Sequence, residues 1–236
     1  MFNVNNILST RRNMHLIVYA LLLLTTISIN AKCGYYKSYE DLIADRYEPL
    51  DTLYCLQNGQ GRKLWLGSND YRLTTGNDSI DKVLKKNAFA IKKDNELYVN
   101  CRKLIRKKVQ FKNGYARAWR SNDNGVIFVN EVIGKEAQLW QTSSQMLAGT
   151  GSHFTYNSNQ IRHRVCYLIS DSSNGKKYTE AHLIDDVLME KLIYGHDDLH
   201  TEYYSEERKS DRILAKHVFP ILEKAGVIEL KEQYLF

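Results

Sequence analysis

The amino-acid sequence predicts an α+β fold with an antiparallel β-sheet core, short N-terminal helices and a C-terminal helical pair. Two observations predict it. Short apolar runs separated by turn residues follow one another from Ala88 to Val129, and consecutive strands joined by short turns pair antiparallel. In residues 171–236 the apolar residues instead recur at helical spacing.

Three turns divide the central stretch into strands. Asp94-Asn95 separates the first two apolar runs, Asn113-Gly114 separates the next two, and Asn122–Gly125 leads into the last. Asn, Asp and Gly tolerate the positive φ angles that tight hairpins require. The sequence therefore predicts three hairpins, with strands near residues 89–91, 97–99, 109–111, 115–117 and 126–129.

Capping residues mark two helices in the first half of the chain. Ser38 can cap a short helix because the acidic Asp41 follows three positions later. Asp78 is predicted to cap a second helix over residues 79–87, whose packed face would hold Ile80, Val83 and Leu84. Further strands are predicted at residues 53–56, 63–66 and 164–169.

Two helices are predicted in the last third of the chain. Ala181, Ile184, Val187, Leu188 and Leu192 give helical spacing for the first. The second covers residues 213–225, with Gly226 beyond its end and Pro220 inside it. Because proline cannot donate a helical hydrogen bond, we expect a kink or a restart at Pro220.

The first 31 residues have the pattern of a secretory signal peptide. Arg11 and Arg12 precede an apolar run from Leu16 to Ile29, and Ala31 offers a small residue for cleavage. The run is shorter than the ~20 apolar residues of a membrane span, although a single membrane anchor is the alternative. We therefore predict export to the periplasm or cell surface, with residues 32–236 as one domain, β-rich over 32–170 and helical over 171–236.

Four cysteines follow the predicted cleavage site: Cys33, Cys55, Cys101 and Cys166. Export permits disulfides, and four cysteines allow three pairings between which the sequence does not choose. Three of them lie in or beside apolar strand-like runs, so free buried thiols explain them equally well.

The chain resembles a domain family of unknown function found in exported Bacteroidales proteins. The resemblance is carried by Tyr39-Glu40-Asp41-Leu42, by residues 97–102, by residues 164–169 and by the terminal helical pair. It covers nearly all of the chain after residue 31. It implies export, but the family has no established activity to carry over.

The strongest candidate for function is a dense block of positive charge. Between residues 82 and 120 only Asp94 and Glu96 oppose thirteen basic residues, namely Lys82, Lys85, Lys86, Lys92, Lys93, Arg102, Lys103, Arg106, Lys107, Lys108, Lys112, Arg117 and Arg120. Such a block attracts anionic groups. The predicted ligand-binding residues are Arg102, Lys103, Arg106, Lys107 and Lys108, with the aromatic residues Tyr98 and Trp119. The alternative is that the charges are solvated strand faces, offset by the acidic C-terminal helices.

A second candidate is the pair His196 and His200. Histidines four residues apart share one helix face and can hold a zinc ion together, with Asp197 where zinc proteases place a catalytic Glu. Asp is one methylene shorter than that base, and no third ligand is specified. The alternative is a helix start at which Asp197 or Asp198 interacts with the positive end of the helix dipole.

Together these patterns favour an exported envelope protein with a non-catalytic binding or accessory structural role. The expected partner is an anionic glycan or another envelope macromolecule, and no cofactor is predicted. The alternative function is a metal-dependent hydrolase that uses His196 and His200.

Overall fold

The computed structural model describes residues 32–59, 69–131, 164–171 and 177–229. Its strands, which we number in chain order, are β1 (Cys33–Tyr36), β2 (Glu48–Pro49), β3 (Tyr54–Gln57), β4 (Tyr71–Thr74), β5 (Ala90–Lys93), β6 (Glu96–Asn100), β7 (Leu104–Arg106), β8 (Val109–Gln110), β9 (Tyr115–Arg120), β10 (Val126–Glu131), β11 (Arg164–Ile169), β12 (Thr179–Glu180) and β13 (His182–Leu183). Its helices are α1 (Tyr39–Ile43), α2 (Asp78–Asn87), α3 (Asp186–Leu192), α4 (Asp197–Tyr204), α5 (Lys209–Arg212) and α6 (Ala215–Lys224).

The strands form two sheets. Eight strands of the main sheet run in the order β13-β11-β10-β9-β6-β5-β1-β2, and β3 joins through β4, which pairs with β9. Its pairings are antiparallel. A smaller sheet has the order β12-β7-β8, with β12 parallel to β7. The predicted α+β fold with an antiparallel sheet is confirmed.

Two of the three predicted hairpins are confirmed. In the first, Ala90 of β5 pairs with Val99 of β6 at one end, and Lys93 pairs with Glu96 at the other. Asp94 in the turn between them has a φ of 54°. β9 and β10 pair on either side of residues 121–125. In these cases the two strands lie close in sequence, so a tight turn brings them together directly.

The predicted hairpin around Asn113-Gly114 is wrong. β8 pairs with β7, and β9 pairs with β6, so this turn carries the chain from the small sheet to the main sheet. Gly114 has a φ of 109°, and a Cβ atom there would lie 2.9 Å from the carbonyl oxygen of Tyr71. The Asn-Gly pair therefore marks backbone that requires glycine, but it does not decide which strands pair.

The caps of α1 and α2 differ only slightly from prediction. Ser38 Oγ accepts a hydrogen bond from the backbone N–H of Asp41 at 3.1 Å, which confirms the first cap. Asn77, rather than Asp78, caps α2. On α2 only Leu84 is buried, whereas Ile80 and Val83 are each 40% exposed.

The sequence did not predict β1, which lies between β5 and β2 in the main sheet. Its four residues include Gly34 and two tyrosines, so no apolar alternation is visible. The strand predicted at 53–56 is β3, the third strand of the chain, and the strand predicted at 63–66 lies outside the described residues.

The prediction of C-terminal helices is confirmed, but the described residues contain four of them, α3 to α6, where a pair was predicted. Ala181 and Ile184, predicted to start the first helix, flank β13 instead. α6 runs through Pro220 without a restart. Pro220 lies on the exposed side of α6, where the carbonyl group that loses its helical partner can bind water.

Alternate residues of the main sheet point to opposite faces. Val99, Phe128 and Tyr167 belong to face 1, on which α1 and the small sheet pack. Face 2 packs against α2 and β4 near β6, and against α3, α4 and α6 near β11. The small sheet and the C-terminal helices therefore lie on opposite faces of the main sheet.

All four cysteines are free, and Cys33, Cys101 and Cys166 are buried. Burial raises the pKa of the Cys55, Cys101 and Cys166 thiols. In the part of the chain that the structure describes, no helix is both long and apolar enough to cross a bilayer.

Candidate functional site

The small sheet concentrates the positive charge of the molecule. We call residues 102–112 and 177–180 together the basic sheet. Only Glu180 opposes its seven basic residues, which are Arg102, Lys103, Arg106, Lys107, Lys108, Lys112 and Lys177. Lys107, Lys108, Lys112 and Lys177 are exposed, whereas Lys103 is half-buried.

Lys177 reaches this surface from a distant part of the sequence. β12 pairs with β7 in parallel, with Thr179 beside Leu104 and Glu180 beside Ile105. Lys177 precedes Thr179 by two residues, so it lies at the Arg102 end of β7. Sequence reasoning missed Lys177 because parallel partners can come from anywhere in the chain.

Lys107 and Lys108 form the two-residue turn between β7 and β8. Arg106 pairs with Val109 across the turn, and the two lysines have positive φ angles of 48° and 68°. Asn and Gly are the residues that usually occupy such a turn. The backbone N–H of Lys107 donates to Glu180 Oε1 at 2.8 Å, so the turn is hydrogen-bonded to β12. Both lysine side chains are exposed at the tip of the turn.

Arg102 and Arg106 are less accessible than the sequence suggested. Arg106 is only 8% exposed, and its guanidinium lies over the Tyr167 ring at 5.9 Å from the centroid. Arg102 is half-buried, and burial lowers its pKa. Arg106 therefore anchors the small sheet to face 1, while the lysines carry the accessible charge.

Tyr98 and Trp119 do not lie beside the basic sheet. Both residues belong to the clusters of face 2, on the other side of the main sheet from the basic sheet. Tyr98 is 3% exposed, Trp119 is 8% exposed, and the Trp119 ring packs edge-on against Phe219 at 4.5 Å. The structure therefore does not bring these aromatic rings together with the predicted cationic residues.

Tyr98 instead belongs to a hydrogen-bonded group on face 2. Its hydroxyl donates to Glu96 Oε2 at 2.6 Å, and Arg117 donates to the Tyr98 hydroxyl at 3.2 Å while it forms an ion pair with Glu96. Burial and the hydrogen bond to Glu96 both raise the pKa of Tyr98. Burial alone would raise the pKa of Glu96, but the bonds from Tyr98 and Arg117 outweigh it and lower that pKa.

The two predicted metal ligands are both exposed. His196 occupies the cap position before α4, and its side chain makes no capping bond. The ring of His200, in the first turn of α4, lies 4.7 Å from the Tyr204 ring. Among the described residues, no group of three His, Cys, Asp or Glu side chains is arranged to hold a metal ion.

The acidic helices do not cover the basic sheet. α3, α4 and α6 pack on face 2, whereas Leu104 and Phe111 of the basic sheet pack on face 1. For the basic sheet, packing against the acidic C-terminal helices therefore does not account for the charge. In the described residues no carboxylate lies within ion-pair distance of the Lys103, Lys107 or Lys108 ammonium groups.

Comparison with curated proteins gives no match, and comparison with solved structures gives none either. A family model described as a family of unknown function, DUF6563, matches residues 34–229. This range covers most of the chain and includes the basic sheet, all the described helices and the main sheet apart from Cys33. The chain therefore belongs to the family of unknown function DUF6563.

Proposed function

We propose that the protein is exported and binds an anionic glycan, without catalysis, through the basic sheet. Export rests on the sequence, in which Arg11 and Arg12 precede an apolar run of signal-peptide length. Glycan binding rests on one structural observation, the local excess of accessible positive charge on the small sheet. A surface of this kind raises the local concentration of anions and steers them towards it.

The acidic C-terminal helices do not lie on the same face of the main sheet as the basic sheet. If the basic sheet served only to balance the acidic helices, the two would lie close together, because exposed charges more than about 10 Å apart are largely screened at 0.1 M salt. The main sheet instead lies between them. An external anion is therefore the better explanation of the charge.

The turn at Lys107-Lys108 supports the same conclusion. Left-handed backbone costs a non-glycine residue about 1 kcal/mol, and Asn-Gly would form the turn with less strain. Strain of this size is characteristic of sites where the side chain has a function that a better turn residue lacks. Here that function is the presentation of two positive charges at an exposed tip.

The extent of the surface favours a polymer over a small anion. Arg102 lies in a short 3₁₀ turn (Cys101–Lys103) before β7, and Lys107 follows β7. With a rise of about 2 Å per residue in the turn and about 3.3 Å in the strand, these two ends of the surface are no more than about 14 Å apart. Lys177 and Lys112 lie near one end, and the Lys107-Lys108 turn forms the other. An extended glycan with repeated carboxylate or sulfate groups can contact both ends at once.

The binding test uses immobilised heparin as the anionic glycan. We expect the protein to be retained at low salt and released by a NaCl gradient, because the interaction depends on charge. The variant Lys107→Asn/Lys108→Gly, which keeps a good turn, should elute at clearly lower salt.

The control variant Lys85→Gln/Lys86→Gln removes two exposed charges from α2 and changes the net charge by the same amount. It should elute close to the unmodified protein. Failure of the unmodified protein to bind at about 50 mM salt, or an equal shift in both variants, would contradict the proposal.

Export is tested separately by expressing the full chain in a Gram-negative host and measuring the mass of the recovered protein. We expect the periplasmic fraction to contain a chain that begins at Lys32. A full-length chain that stays in the cytoplasm or the membrane would refute export without bearing on glycan binding.

A further inference from the structure

A cleft of about 440 Å³ lies at the end of β9, away from the basic sheet. The last pair between β6 and β9 joins Leu97 to Ala118. Beyond the end of β9, Ser121 pairs with Ile228. Trp119 and Arg120 lie between these two pairings, and both line the cleft. The cleft therefore occupies a gap between the β5–β6 turn and the segment around Ile228, and its volume lies within the usual range for ligand sites.

Two groups, each made of a tyrosine, a carboxylate and an arginine, flank this gap, one on each face of the sheet. On face 1, Tyr36 donates to Asp45 Oδ1 at 2.6 Å, and Arg120 binds the same oxygen at 2.6 Å. On face 2, Arg117 and Glu96 line the cleft and form the group that includes Tyr98. Residues 117 and 120 point to opposite faces because their positions differ by an odd number.

In each group the arginine forms an ion pair with a carboxylate, and this ion pair determines which ligands the cleft can bind. Each arginine that borders the cleft lies against its own carboxylate, so an anion that approached the guanidinium would also approach Asp45 or Glu96. A cation would meet the arginine in the same way. Lys92, Asp94 and Glu229 also line the cleft, so its charge is mixed throughout. A ligand that carries strong charge of either sign is therefore disfavoured, and the cleft presents donors and acceptors side by side.

A hydroxyl group matches such a surface, because it donates one hydrogen bond and accepts others. Vicinal hydroxyls on a sugar ring can accept from a guanidinium and donate to the adjacent carboxylate at the same time. Leu97 also lines the cleft and is half-buried, so it provides apolar surface for the C–H groups of such a ring. The ion pairs already exist in the protein, so little ordering is required on binding.

We propose that this cleft binds an uncharged saccharide. The site differs in position and in chemistry from the basic sheet, and the inference does not depend on the glycan proposed to bind there. Of the polar residues that line the cleft, we assign the hydrogen bonds to the sugar to Arg117, Arg120, Asp45 and Glu96.

The test titrates the purified protein with D-glucose, D-galactose, D-mannose and N-acetyl-D-glucosamine, and follows binding by saturation-transfer NMR. We expect saturable binding of at least one of these sugars, with a Kd of order 1 to 10 mM, the weak end of the affinity scale. The variant Asp45→Asn/Arg120→Gln should weaken that binding by about tenfold or more, because it removes two charge-assisted hydrogen bonds. Both side chains are about half exposed, 50% and 41%, so we expect this variant to fold, which circular dichroism would verify.

The molecule supplies a matched control in a third group of the same composition. Tyr203, Asp186 and Arg212 interact in the same way but do not line the cleft. The variant Asp186→Asn/Arg212→Gln should leave the Kd within about twofold, as should Lys107→Asn/Lys108→Gly. The proposal is overturned if none of the four sugars binds at 100 mM, or if the cleft variant and the control variant change the Kd equally.

Discussion

Arg212 holds the carboxylate of Asp186 with two nitrogens, Nε at 3.1 Å from Oδ1 and Nη2 at 3.0 Å from Oδ2. Tyr203 donates to the same carboxylate at 2.9 Å. The side chains of Asp186 and Arg212 are only 16% and 12% exposed. This group therefore joins α3, α4 and α5 at a site largely shielded from water.

Replacing Asp186 with Asn should lower the free energy of unfolding by about 2 kcal/mol at pH 7, because two charge-assisted bonds are lost. The hydrogen bond from Arg212 lowers the pKa of Asp186 below its ordinary value of 3.8. The stabilisation is therefore complete above about pH 4 and is lost as the pH falls through the lowered folded-state pKa. Urea unfolding of both proteins between pH 7 and pH 2.5 measures this effect, and a difference that stays constant over that range would contradict it.

The turn variant Lys107→Asn/Lys108→Gly should be more stable than the unmodified protein by about 1 kcal/mol. The gain comes from relief of the left-handed strain at the two lysines. Thermal unfolding measures it, and the control variant Lys85→Gln/Lys86→Gln should change stability by no more than about 0.5 kcal/mol. A less stable turn variant would show that the lysine side chains stabilise the fold and that their left-handed backbone is not a net cost to stability.

Phe111 should be essential for attachment of the basic sheet to the main sheet. Its ring lies 5.4 Å from Phe128 and 5.0 Å from Tyr167, and the residue is 3% exposed. Phe111→Ala should lower the free energy of unfolding by about 3 kcal/mol through lost burial and the cavity left behind. Val109 is 45% exposed, so Val109→Ala should change it by about 0.5 kcal/mol at most; equal effects in urea unfolding would refute this packing.

The cysteines should differ in reactivity towards a maleimide at pH 8. Cys55 is half-buried, whereas Cys101 and Cys166 are fully buried, and burial raises the pKa of all three thiols. We expect Cys55 to react before the other two in the folded protein, and all of them to react in denaturant. Peptide mass spectrometry over time measures the order, and modification of Cys166 as fast as Cys55 in the folded state would contradict it.

Local sequence predicted the elements whose partners are near in the chain. Asp94 in its left-handed turn brings β5 onto β6, and the cap at Ser38 starts α1, because both depend on backbone geometry within a few residues. The buried strand at residues 164–169 was also predicted, since an uninterrupted apolar run of that length is best satisfied inside a sheet.

The same local signals were insufficient where the partner is distant. Asn113-Gly114 has the composition of a hairpin turn, yet it joins two sheets, because Phe111 is buried against Phe128 and Tyr167 rather than beside β9. β1 was missed for a related reason. Its sequence is too short to show periodicity, and its pairing with β5 gives it an ordered position.

In the candidate sites too, some features follow from the sequence alone and others depend on the tertiary structure. The sequence by itself determined that positive charge is concentrated near Lys107 and Lys108 and that the fold is α+β. Only the tertiary structure brought Lys177 to that charge, turned Tyr98 and Trp119 to the opposite face, and arranged Arg117 and Arg120 around one cleft. The physical reason is that charge and turn preference belong to residues, whereas the face a side chain occupies depends on strand register and on burial of apolar surface contributed by the whole chain.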